Sequence, residues 1–100
     1  MSDQTDAGDG GPDSAATGLP AIDFSTFVLS LSTTALYQMG LIADPETQET
    51  ISPSREIAQQ TIDTIEMLRA KTRGNLEPDE AKLIDSLLYE LRLHFVELDA

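Results

Sequence analysis

Apolar residues recur in this chain at helical spacing, in three blocks separated by Gly- and Pro-containing breaks. The first block is the most unusual. From Phe24 to Ile42 it reads FSTFVLSLSTTALYQMGLI, with no Asp, Glu, Lys, Arg or His. Phe24, Phe27, Val28, Leu31, Ala35 and Met39 share one face of a helix with a 3.6-residue period. Leu29, Leu36 and Tyr37 widen that face, while Ser25, Ser30, Ser32, Thr33 and Thr34 form a side of small residues. Of these, Ser30, Ser32, Thr33 and Thr34 read as marks of close helix packing. Asp23 suits the N-cap, because its carboxylate can accept from free first-turn amides at the positive end of the dipole. Gly40 suits the stop, since glycine enters the left-handed conformation without steric cost.

The second block follows a polar link that includes Asp44-Pro45, a turn signal. Ser52 as cap and Pro53 at the first helical position predict its start. Ala58, Thr61, Ile62, Ile65, Leu68 and Thr72 form its face, with Ile57 and Met67 flanking. Arg69, Lys71 and Arg73 gather at its C-terminal end, where cations complement the dipole, and Glu66 is placed to pair with Arg69. Gly74 or Asn75 ends it. The third block opens with Pro78, Asp79 and Glu80. Its face is Ile84, Leu87, Leu88, Leu91, Phe95 and Leu98, widened by Leu83, Leu93 and Val96, and Leu76 can staple its start. The short RGNLE connection predicts an antiparallel helical hairpin. No alternating strand pattern and no internal repeat occurs. The expected fold is all-α: a three-helix domain over residues 23–100, with helices at about 23–39, 53–73 and 78–98.

Residues 1–22 differ in kind. Gly, Asp, Ser, Thr, Ala and Pro dominate, and such composition cannot bury enough surface to offset ordering entropy. A disordered acidic tail is expected. It lacks the basic and apolar regions of a signal peptide.

Charge narrows the function classes. The formal charge is −12. Residues 1–23 carry five acids and no base; the rest carries thirteen acids and six bases. Nucleic acid phosphates and anionic membrane surfaces both need cations, so neither is an expected partner. The chain has no cysteine, which removes disulfides and thiolate metal sites and fits a reducing, cytoplasmic setting.

Candidate chemistry is sparse. His94 is the sole histidine, with Glu90 four residues before it but no second imidazole or thiolate to share a metal. The serines and threonines lack a nucleophile elbow, and GDGGP has no strand–helix context for cradling phosphate. The Arg69, Lys71, Arg73 trio reads as dipole complement rather than an anion site. No catalytic residue, cofactor or metal ligand is assigned, and an enzyme is not expected. A membrane span by the first helix is disfavoured, since that stretch carries six Ser or Thr plus Gln38 and lacks flanking Lys or Arg.

A domain this small cannot shelter a first helix that is apolar nearly all round. A homo-oligomer, with a dimer favoured, is the expected outlet, since most soluble oligomers are symmetric. The candidate interface is Phe24, Phe27, Val28, Leu31, Ala35 and Phe95. The leading expectation is therefore a non-catalytic helical interaction module. The alternatives are membrane association through the first helix, and a small enzyme or metal protein around Glu90 and His94.

In combination, FSTFVLSLSTTALYQMG, the DPET turn, AQQTIDTIEMLRAKTRGNL and LLYELRLHFVEL resemble the bacterial domain of unknown function 1844, over about residues 23–98. That resemblance implies a short cytoplasmic helical protein. It implies no activity, cofactor, partner or functional residue.

Overall fold

The computed structural model describes residues 21–98. It contains three helices: α1 (Phe24–Gln38), α2 (Arg55–Lys71) and α3 (Pro78–Glu97). Each packs against the other two, and no strand occurs among the described residues. The all-α, three-helix fold expected from the periodicity is the one observed. Ala21 and Ile22 are exposed; the rest of the expected tail, residues 1–20, lies outside the described residues.

Local chemistry sets most helix ends. The Thr26 amide donates to Asp23 Oδ1 at 2.7 Å, giving α1 its N-cap. That hydrogen bond holds the Asp23 carboxyl below its ordinary value. At the other end the Gly40 amide donates to Tyr37 O and the Leu41 amide to Leu36 O. This pair of bonds is a Schellman closure, and it requires a left-handed residue, met by Gly40 at φ +75°. The Glu77 amide donates to Glu80 Oε1 at 2.8 Å, so α3 starts at Pro78 as the sequence indicates.

The start of α2 departs from expectation. Ser54, not Ser52, is the cap residue, and Pro53 lies outside the helix. The Ser54 amide is taken by Gln38 O at 2.8 Å, which ties the connection to the end of α1. Only after that tie can helical bonding begin, with the Ala58 amide donating to Ser54 O.

The core draws three residues from each segment: Val28, Ala35 and Met39; Ala58, Ile62 and Ile65; Ile84, Leu88 and Leu91. Phe24, Leu31, Leu36, Leu68, Leu76, Leu87, Phe95 and Leu98 pack around it. Ala35, Ala58 and Ser32 are all buried. Thr61 Oγ1 donates to Gln38 Oε1 at 2.6 Å, bridging α2 and α1.

The pairing of Glu66 with Arg69 expected along α2 is not made. Arg69 pairs with Asp85, and Glu66 with Arg92. Both pairs cross from α2 to α3, and their order along the two helices is that of an antiparallel hairpin. All four side chains are about half exposed, so each pair contributes ~0–1 kcal/mol and acts more on register than on stability.

Candidate interaction surface

Helix α1 presents two different sides. Its inward seam is Val28, Ser32, Ala35 and Met39, all buried. Its outward side carries Thr26, Phe27, Leu29, Ser30, Thr33 and Thr34, all exposed, with Tyr37 half-buried and Leu41 exposed just past the helix end. Phe27, Leu29 and Leu41 are 43%, 46% and 47% exposed. From Phe24 to Ala43 no charged residue interrupts this side.

Three of its hydroxyls are turned inward on the backbone. Ser30 Oγ donates to Phe27 O at 2.7 Å, Thr33 Oγ1 to Leu29 O at 3.1 Å, and Thr34 Oγ1 to Ser30 O at 3.0 Å. Each of these three donors is thereby satisfied within the helix, although the oxygens can still accept from water. Of the small residues expected to mark close packing, only Ser32 does so inside the fold; Ser30, Thr33 and Thr34 face outward.

A hollow of ≈ 250 Å³ adjoins this side where α1 meets the Asp44–Pro45 turn. It is lined by Thr33, Thr34, Tyr37, Ile42, Ala43, Asp44 and Pro45. The turn is well braced. The Gln48 amide donates to Asp44 O, and the Glu46 amide to Asp44 Oδ1 at 2.8 Å. The one carboxylate at the rim is therefore engaged with its own loop.

The six residues singled out as an interface are separated by the fold. Val28 and Ala35 are 0% exposed and belong to the core. Phe24 and Leu31 are half-buried against it. Phe95 is half-buried, and the Arg55 guanidinium covers its ring at 4.2 Å. Of the six, Phe27 alone is substantially free at the surface. Leu29, Tyr37, Leu41 and Ile42 were not among them. A signal for part of this set was present: Phe27, Ser30, Thr34, Tyr37 and Leu41 keep the alternating three- and four-residue spacing of a second seam.

Elsewhere the surface is less coherent. Tyr89, Leu93 and Val96 form an exposed stripe on α3 between charged neighbours. Arg69, Arg73 and Asp85 border a shallow depression at the α2–α3 turn, where Arg69 is already paired with Asp85. His94 Nδ1 lies 3.8 Å from Glu97 Oε1 rather than against Glu90. Among the described residues, no three His, Cys, Asp or Glu side chains lie close enough to hold a metal ion. No helix among them is long and apolar enough to cross a membrane. At 15 residues α1 spans about 22 Å, short of a hydrocarbon core of about 30 Å.

Fold and surface together define a small three-helix domain whose first helix is half core and half uncharged exterior. A family model, domain of unknown function (DUF1844), matches residues 21–97, and the chain belongs to that family. No curated protein and no solved structure matches it.

Proposed function

We propose that this domain is a non-catalytic helical interaction module of the bacterial cytoplasm, which docks another polypeptide on the outward side of α1. One observation carries the reading. In a chain of charge −12, Phe27, Leu29 and Leu41 stand exposed on a twenty-residue stretch without a single charge. Leaving such surface in water costs roughly 25 cal/mol per Å², and covering it recovers that amount. The internal satisfaction of Ser30, Thr33 and Thr34 supports the same reading, because docking need not strip those donors of water.

The cytoplasmic setting is supported by the absence of cysteine. The test is Phe27→Asp in the full chain. Helix content by circular dichroism should persist, since Phe27 is outside the core, while association seen by light scattering or with a captured binding chain should be lost. If every association of the parent survives Phe27→Asp with unchanged affinity, the outward side of α1 is not the docking surface.

A further inference from the structure

We infer that the occupant of this surface is a second copy of the chain, with the two α1 helices packed antiparallel about a twofold axis between Ser30 and Leu31. The inference rests on the docking role proposed above and names its partner.

An isologous interface must be complementary to itself. The α1 surface meets that condition. Its one large exposed ring is Phe27, and its hollow adjoins Thr34, Tyr37 and Ile42. Phe27 and Thr34 are seven residues apart, so they share one side of the helix. An axis midway between them lies three and a half residues from each, about 5 Å at 1.5 Å per residue. Rotation about it sets Phe27 of one copy level with Thr34 of the other, beside the hollow, and does so twice. Ser30 lies at the crossing, where a small side chain permits close approach of the helices.

Charge favours the same occupant. The rest of the chain is net acidic, and two copies meeting through it would bring like charges together. The α1 helices bring only uncharged residues from both sides, and the one carboxylate at the hollow, Asp44, is engaged by the Glu46 amide of its own loop. Antiparallel helices also oppose their dipoles.

The chain has no cysteine, so single cysteines report the geometry cleanly. Interaxial distances of about 8–10 Å leave facing Cα atoms near the axis roughly 4–6 Å apart, within disulfide range. Thr34 and its counterpart would be about 10 Å apart along the axis, too far to bridge. The full-length parent should sediment as a dimer. Ser30→Cys should form a covalent dimer under mild oxidation, at least about tenfold faster than Thr34→Cys or the α3 control Ser86→Cys. Phe27→Asp, and the milder Phe27→Ser, should weaken dimerisation by about tenfold or more. A dimer that links equally well at all three cysteines, or best at Thr34→Cys, overturns this pairing. So does a parent that stays monomeric at millimolar concentration. In that last case the docking role stands or falls separately, on whether Phe27→Asp abolishes binding to a different chain.

Discussion

Phe27 and Val28 are neighbours in sequence and opposites in the fold, so truncating each in turn tests where α1 faces. Val28 is 0% exposed and belongs to the three-helix core. Val28→Ala removes the equivalent of two methylenes, worth about 1.6 kcal/mol in transfer at roughly 0.8 each. A site this fully buried can relax little, so a cavity term brings the loss to about 2–3 kcal/mol. Phe27 is 43% exposed, and water fills the space that Phe27→Ala vacates. Its loss in the isolated chain should stay below about 1.5 kcal/mol despite the larger side chain. For a domain of this size 1 kcal/mol corresponds to about 4–8 °C in Tm, so the two variants should differ clearly in thermal melts followed by circular dichroism. The melts are run at low and at high protein concentration. Val28→Ala should lower Tm at both. The Phe27→Ala deficit should grow with concentration, because it removes contacts that only the associated state makes. Equal Phe27→Ala deficits at all concentrations would refute self-association through Phe27, and a silent Val28→Ala would refute the assignment of the inward side.

Three further outcomes follow from local geometry. Gly40→Ala should destabilise the domain by about 2 kcal/mol in chemical denaturation, because the left-handed conformation costs about 1–2 kcal/mol and a Cβ there would meet Ile51 O at 2.7 Å. Asp23 has its folded value lowered by the Thr26 amide, so its stabilisation is present above the unfolded value of about 3.9 and is lost as pH falls below it. Asp23→Asn should therefore melt below the parent near neutrality, and the gap should narrow in Tm measurements taken down to pH about 2.5; a gap constant with pH would exclude this titration as its source. A double-mutant cycle on Glu66 and Arg92 should return a coupling of about 1 kcal/mol or less, reduced by added salt, because both side chains are half exposed.

Much of the fold was legible because it is locally encoded. The Asp23 cap, the Gly40 stop and the Pro78 start act within a turn of themselves, so they can be read from a few residues. The faces of α2 and α3 were legible too, since polar residues frame Ile62 and Ile65 and likewise Ile84, Leu88 and Leu91. The start of α2 was not, because it depends on the Ser54 amide reaching Gln38 O, sixteen positions back in the chain. The partners of Arg69 and Glu66 were likewise set by helix docking rather than by spacing along α2.

The surface of α1 shows the same division most sharply. By its own pattern the chain specifies three helices, their approximate ends and a first helix without charge. It does not specify which side of that helix goes in, because amphipathic reading needs contrast and α1 has almost none. Packing decided it. The buried seam includes the small Ser32 and Ala35, and α2 buries the small Ala58, whereas the exposed side carries the Phe27 ring. Which side turned inward was decided by how side chains fit together, and that fit is settled only when three helices meet.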